Sequence, residues 1–337
     1  MNRDDNLRDR TPRTDDRSLW AIPFAVYGYP VLLIAHKLKL FSLLGEKPRT
    51  LEEVCGAVKI HARPAQALLG TAAALGFVEL RDGRYALTDV AQEYLVESSP
   101  HYFGWHWALT YDTADVWSLA ALERAVLTNS PQVQAPEDKA DMFRRFTRAM
   151  HSISMAASSA WPQAVDLSKH RLMLDIGGGS GAHAIGAALA QKSLQAVVFD
   201  APAVCEVAAE YIARYGLADR IKTKPGDMFA DPFPAADLHF YSHVYHLWTP
   251  EKNLALTKKS YENLPSGGRI VIHEILYNDD KTGPFAAAAF DVIVLGWTEG
   301  QQYSGPELTS MLKEAGFREI QVTSTFGDDG IVTGIKP

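Results

Sequence analysis

Apolar spacing divides the chain into a helical first part and an alternating second part. From Trp20 to Leu44 the positions are mostly apolar and read as helix, which Pro23 and Pro30 are expected to break early. Thr50-Leu51-Glu52-Glu53 is a capping-box pattern that opens a short helix, and Ala62 to Leu75 reads as another ending at Gly76. Phe77 to Leu80 and Tyr85 to Leu87 read as two strands joined by a two-residue Asp82-Gly83 turn. Helices followed by a hairpin follow the winged-helix order, so residues 19–99 are expected to form a winged-helix-like domain. Such a domain serves either DNA or pairing with a second chain. Its candidate recognition helix carries only Arg63 as a fixed positive charge, which favours pairing.

Residues 100–165 are helical in pattern and rich in aromatics, including Trp105, Trp107, Trp117, Phe143, Phe146 and Trp161. Such a stripe serves as core or as the wall of an apolar pocket, and both readings stay open. From Arg171 onward the period changes. Candidate strands at Leu172–Ile176, Ala196–Asp200, Ile221–Lys224, Leu238–Ser242 and Ile270–Ile275 are separated by helical segments, the pattern of a parallel sheet covered on both faces. Two more, Ile320–Thr325 and Gly330–Ile335, lie close enough for an antiparallel hairpin, which would complete a mixed seven-stranded sheet. The expected division is a frayed tail over 1–18, the domain 19–99, a helical linker over 100–165 and an α/β domain over 166–337.

The 337 residues are enough for two domains with a buried core. A hydrophobic content of 47% with 22% charged residues is ordinary for a soluble protein, and a net charge of −7 argues against nucleic acid as a partner. Cys55 and Cys205 are far apart and lack metal-ligand spacing, so neither a disulfide framework nor a metal site is expected. No apolar run is expected to reach the length of a membrane span. Residues 1–18 mix Arg and Asp around no apolar core, unlike a signal peptide, and the cytoplasm is the expected location.

The chemistry gathers at the ends of the candidate strands. Leu172 to Ile176 stops at Gly177-Gly178-Gly179-Ser180-Gly181, with Asp175 just before the turn. Glycines let a backbone approach a nucleoside closely, but Gly177, Gly179 and Ala182 also satisfy the dinucleotide pattern, so the turn alone leaves the cofactor open. Asp200 ends the second strand and suits a pair of ribose hydroxyls, or a helix N-cap before Pro202. Gly226-Asp227-Met228-Phe229 offers an acceptor and two apolar groups for a planar ring, or is a plain turn. The fourth end reads Ser242-His243-Val244-Tyr245-His246-Leu247-Trp248.

Together these resemble the class I S-adenosylmethionine-dependent methyltransferases, and more narrowly the small-molecule O-methyltransferases that act on caffeate and acetylserotonin. The likeness runs from about Trp20 to the end and includes His246-Leu247-Trp248 and Leu264-Pro265-Ser266-Gly267-Gly268-Arg269. It implies a Rossmann-like methyltransferase domain after a dimerisation domain, an intertwined homodimer, and S-adenosylmethionine as cofactor. It places Asp175, Gly177, Gly178, Gly179, Asp200, Gly226, Asp227, Met228, Phe229 and Ser242 at the cofactor. His246 falls at the family's general base and Glu274 at the glutamate that orients it. A phenol near pKa 10 needs such a base, worth about 10²–10⁴ in rate.

Three departures concern the methyl acceptor. The family's His-Asp-Trp is His-Leu-Trp here, its second glutamate aligns with Gln302, and Ser242 stands where many plant members have lysine. A thioether needs no base, only alignment of two sulfurs and exclusion of water. The segment from Ile270 to Tyr303, with Trp297, also resembles a bacterial branch that methylates 4-methylthio-2-hydroxybutyrate on sulfur in dimethylsulfoniopropionate synthesis. S-methylation of that thioether acid is the first expectation and O-methylation of a phenol the alternative. A winged-helix regulator with a degenerate methyltransferase domain is a more distant one. Phe146, Arg148, Met150, His151, His243, Trp297 and Gln302 are the expected substrate contacts, with Arg148, His151 and His243 as candidates to meet the acid's carboxylate.

Overall fold

The computed structural model describes residues 14–133 and 138–337, so most of the tail expected over 1–18 lies outside the described residues. The chain forms two compact units, Met1–Gly104 and Trp105–Pro337. In the first, helices α1 (Arg17–Lys37), α2 (Leu40–Glu46), α3 (Leu51–Val58) and α4 (Ala62–Ala74) precede strands β1 (Val78–Arg81) and β2 (Arg84–Leu87), and α5 (Asp89–Tyr94) follows. Thr50 and Glu53 form the reciprocal capping box read from the sequence: the Glu53 amide donates to Thr50 Oγ1 at 3.2 Å and the Thr50 amide to Glu53 Oε2 at 2.7 Å. The hairpin turns on Asp82 and Gly83 with φ of +49° and +73°, the two positive values that a twist-matched two-residue turn requires.

Helix α1 corrects the expected break, because the backbone stays helical through Pro23 and Pro30. A proline removes one hydrogen bond and bends a helix without having to end it. The result is a helix of 21 residues with a mean hydropathy of 1.6 in its most apolar window, enough in length and composition to cross a membrane. That corrects the expectation that no run reaches this length. Leu19, Ile22, Phe24, Val26 and Tyr27 are all exposed on it.

The second unit begins with α6 (Gly104–Asp112), α7 (Leu119–Thr128) and α8 (Lys139–Ser158). An alternation follows: β3 (Leu172–Ile176), α9 (Ala182–Ala190), β4 (Gln195–Asp200), α10 (Pro202–Arg214), β5 (Ile221–Pro225), β6 (Leu238–Ser242), α11 (Pro250–Asn263) and β7 (Arg269–Ile275). Helices α12 (Phe285–Trp297) and α13 (Gly305–Ala315) precede the closing strands β8 (Arg318–Ser324) and β9 (Asp329–Ile335). The helical segment from residue 105 clusters with the α/β unit, where α8 packs on α9 and α10.

The sheet has seven strands in the order β5-β4-β3-β6-β7-β9-β8. Strands β5 to β7 are parallel, and β9 pairs antiparallel with both β7 and β8. One face packs Met173, Val198, Phe240 and Val271 under α8, α9 and α10, and the other packs Leu174, Tyr241, Ile272 and Val332 under α11 and α13. The strand order reverses between β3 and β6, so the crevice beyond their C-terminal ends is where a ligand belongs in this topology. The glycine turn and the His246 segment both open there.

Candidate active site

The turn after β3 is held from three sides. Gly177 has φ +65°, and a Cβ there would lie 2.8 Å from Val244 Cγ2 and 3.1 Å from Met228 Cε. Only glycine lets the ends of β3 and β6 and the loop after β5 converge so closely. Asp200 binds across the turn. Its Oδ2 accepts the Gly179 amide at 2.9 Å and its Oδ1 the Ala201 amide at 2.7 Å. Asp200 therefore belongs to the glycine turn, and Ala201 takes the N-cap position of α10. Asp175 lies beneath, with neither carboxylate oxygen hydrogen-bonded among the described residues. Burial, and then the charge of Asp200, push its pKa up to about 7.

After β5, Asp227 Oδ1 accepts the Phe229 amide at 2.7 Å and the Ala230 amide at 3.2 Å, so its carboxylate shapes the turn that sets Met228 beside Gly177. Phe229 meets Trp248 edge-on at 5.0 Å. Gly226 and Gly178 hold their places in these turns: a Cβ would press on Phe199 at the first and on Asp175 at the second. Ser242 Oγ is engaged with His183 Nε2 and His273 Nδ1, each at 2.9 Å, so its side chain bridges two buried imidazoles rather than opening toward the crevice.

His246 lies in the single 3-10 turn after β6, and Glu274 near the end of β7. Glu274 Oε1 accepts the Tyr245 amide at 2.9 Å and the His246 amide at 3.3 Å, and Oε2 sits 2.7 Å from His246 Nδ1. Burial alone would raise the Glu274 carboxyl, and the His246 and His243 imidazoles more than reverse it, leaving it below the usual range. An ionised carboxylate only accepts, so Nδ1 carries the hydrogen and Nε2 keeps its lone pair. Gly300 closes over this turn where a Cβ would stand 2.2 Å from the His246 carbonyl oxygen. The Phe290 ring of α12 meets His246 edge-on at 5.1 Å. Phe290 was not singled out from the sequence, because it sits in a run of alanines with no motif around it.

The expected substrate contacts separate. Arg148 donates to Glu210 at 2.9 Å, and His151 Nδ1 lies 2.8 Å from Ser180 Oγ while its ring stacks on Tyr211 at 3.5 Å. Arg148 is thus engaged in a partly exposed ion pair and His151 in a buried contact. His243 lies between two carboxylates, with Nδ1 3.7 Å from Glu274 Oε2 and Nε2 3.4 Å from Asp329 Oδ1. Gln302 is fully buried and donates its side-chain amide to the Ile275 carbonyl, and its backbone amide meets Asp291 Oδ1 at 2.7 Å. Trp297 does join an aromatic group, 6.2 Å from Phe146 and 5.8 Å from Trp117. Met150 lies on the same helix as Phe146. The donor atoms of His243, His246 and Glu274 come within 4.8 Å of one another, as do those of His243, His273 and Asp329. The 2.7 Å His246–Glu274 separation is that of a charge-assisted hydrogen bond, shorter than two ligands on one ion would stand.

Residues 128–318 match the O-methyltransferase domain, and residues 21–97 match the O-methyltransferase dimerisation domain. The chain belongs to the O-methyltransferase family. A 3-hydroxy-5-methyl-1-naphthoate 3-O-methyltransferase of Streptomyces sahachiroi is 36% identical over 315 residues, covering 90% of this chain and 91% of the relative. An L-tyrosine C(3)-methyltransferase of Streptomyces lavendulae is 32% identical, covering 90% and 87%. The crystal structure of human N-acetylserotonin methyltransferase in complex with SAM superposes with a TM-score of 0.84 at 27% identity, covering 97% of this chain and 99% of that one.

The protein is a methyltransferase that uses S-adenosylmethionine, and its strand ends suit that cofactor. Gly179, with φ +56°, has nothing within 4 Å of where a Cβ would be, so the turn presents bare backbone to the crevice. The half-buried Asp200 carboxylate stands at the rim of the same turn. The Met228 thioether borders it from the side. These are the donor, acceptor and apolar elements that a nucleoside with an amino-acid tail requires.

Proposed function

We propose that this methyltransferase acts on a hydroxyl group of a small aromatic acceptor, with His246 as the general base. The observation that carries this reading is the buried His246–Glu274 pair at 2.7 Å, in which an ionised carboxylate requires the hydrogen on Nδ1. Such a pair suits removal of a proton from the acceptor. When bound, S-adenosylmethionine supplies the electrophilic methyl group. His246 Nε2 takes the hydroxyl proton as the oxygen attacks, Glu274 stabilises the resulting imidazolium, and Phe290 and the Trp297–Phe146 group offer ring faces and edges to a flat acceptor. Of the two bacterial relatives, the hydroxynaphthoate enzyme is named for methylation of a ring hydroxyl, and the tyrosine enzyme for methylation of a ring carbon.

This reading displaces the thioether acid expected first. A thioether needs no base, whereas the His246–Glu274 pair supplies one, and the 36% identical relative is named as a 3-O-methyltransferase. The same family membership supports a homodimer, with the exposed apolar residues of α1 as the surface that a second copy covers.

The test is proton release in weakly buffered solution with an indicator dye, across a panel of phenols, hydroxynaphthoates and thioether acids. One proton per methyl transferred to a hydroxylated ring, with the product methyl on oxygen by NMR, is the expected result. Turnover of 4-methylthio-2-hydroxybutyrate with no proton released would overturn the proposal.

A further inference from the structure

His243 is absorbed by neither the cofactor turn nor the base pair, yet it contacts the glutamate that the base depends on. Its backbone has φ +52°, a left-handed conformation uncommon outside glycine though tolerated by histidine. The conformation swings the ring past the end of β6 into the space between β7 and β9, where Glu274 and Asp329 approach opposite ring nitrogens at 3.7 and 3.4 Å. The His243 and His246 rings stand 5.5 Å apart, nearly edge to face.

The surrounding charges can be counted by element. Strand β7 contributes Glu274 and His273, the start of β9 contributes Asp329, the turn after β6 contributes His246, and α9 contributes His183. Burial pushes both His183 and His273 down to about 3, so they are uncharged at neutral pH. Burial raises and His243 lowers the carboxyl of Asp329, with a net fall that keeps it ionised. Burial also opposes a charge on His243, but Asp329 and Glu274 outweigh it and raise its pKa. Two fixed negative charges therefore face the one ring.

We propose that His243 is a positioning residue for the methyl-transfer base: held as a cation between Glu274 and Asp329, it offsets part of the Glu274 charge felt by His246. It thereby weakens the hold of Glu274 on a proton taken up by His246. The proposal rests on the reading of His246 as the base. Without the His243 charge, the same Glu274 carboxylate would hold a proton on His246 more firmly, and the base would be blocked over a wider acid range. At 5.5 Å, in surroundings of intermediate dielectric, one charge is worth about one to two pH units.

Two substitutions separate charge from shape. Asparagine tolerates the left-handed backbone but carries no charge. Lysine keeps a charge, and Lys39, Lys59 and Lys281 adopt that same backbone elsewhere in this chain. The measurement is kcat/KM against pH for hydroxynaphthoate methylation, with S-adenosylhomocysteine affinity as the control for an intact fold. In His243→Asn the acid limb is expected to move upward by about one to two pH units, and in His243→Lys to stay close to the wild-type position. An acid limb that His243→Asn leaves in place, or that both variants shift equally, overturns the positioning role while the base remains. A wild-type profile with no acid limb, together with undiminished turnover in His246→Ala, removes the base and the positioning role together.

Discussion

Replacing Glu274 by glutamine tests the centre of the proposed chemistry with little change of shape. Oε1 accepts two backbone amides, from Tyr245 and His246, and the carbonyl of a glutamine can take over both. The amide nitrogen would then face His246 Nδ1 where Oε2 stands at 2.7 Å. A donor facing Nδ1 requires the imidazole to carry its hydrogen on Nε2, which removes the lone pair aimed at the acceptor. The loss of a charge-assisted hydrogen bond alone is worth about 1.5–3 kcal/mol, or roughly 10- to 150-fold in rate. With the wrong tautomer added, kcat is expected to fall about 10²- to 10³-fold. The assay is single-turnover methylation at saturating acceptor, followed by product chromatography. Affinity for S-adenosylhomocysteine should stay within about twofold, since Glu274 contacts the His246 turn and not the glycine turn. A kcat within threefold of wild type would refute the argument. Stability carries a second signature. The folded-state pKa of Glu274 lies below the unfolded one, so its contribution is present above the ordinary glutamate pKa and is lost as pH falls through the folded value. The glutamine variant should lack that part of the acid destabilisation in thermal melts.

Two further perturbations test the cofactor side. Asp175 runs the opposite way to Glu274: its folded pKa of about 7 exceeds the unfolded value of 3.8, so its cost is absent below pH 3.8 and complete above pH 7. Asp175→Asn should flatten the fall in melting temperature between pH 4 and 8, by up to about 4 kcal/mol in stability at pH 8 less whatever the unpartnered amide costs; an unchanged slope would count against the burial argument. Gly177→Ala places a Cβ 2.8 Å from Val244 at φ +65°, so calorimetry should show S-adenosylhomocysteine affinity reduced at least about tenfold and stability lowered by about 1–3 kcal/mol. Wild-type affinity in that variant would mean that the turn does not need its backbone shape for the cofactor.

What was legible in the sequence was whatever short-range pattern controls. Strands β3 and β6 run over the residues that their apolar runs indicated, and the others differ by one or two residues at their ends. The capping box at Thr50 and the Asp82-Gly83 turn are local chemistry and could be read directly. The prolines in α1 could not, since whether a proline ends or only bends a helix depends on the packing around it. The partners of Arg148 and His151 were equally out of reach. Both lie on α8, whose face toward α10 brings Arg148 to Glu210 and sets His151 on Tyr211, contacts between residues 62 and 60 positions apart that no spacing rule connects. The pairing of His246 with Glu274 was available only through family resemblance, because strands β6 and β7 are joined by a helix and their register is a tertiary fact. Asp329 lay in an unremarkable turn. Only the antiparallel return of β9 along β7, which sets Asp329 opposite Ile275, brings it beside His243.

The departures that first suggested a base-free reaction acquire a different meaning in this arrangement. The family's second glutamate is Gln302 here, and its amide is turned to the Ile275 carbonyl, so it adds no charge to the crevice. Near His246 the fixed charges are then Glu274 and Asp329, with His243 between them. Methylation of a hydroxyl moves a positive charge onto His246, next to Glu274, so the charge arrives where a carboxylate already waits. Methylation of a thioether leaves the positive charge on the product sulfur, and a carboxylate locked to His246 Nδ1 at 2.7 Å contributes little there. The desolvation of the buried glutamate is already more than offset by the His246 and His243 imidazoles, and a charge developing on the histidine during the reaction strengthens the same attraction. Loss of the second carboxylate weakens the base on one side and leaves its dependence on Glu274 greater on the other. For that reason kcat should respond to Glu274→Gln far more than to Gln302→Glu.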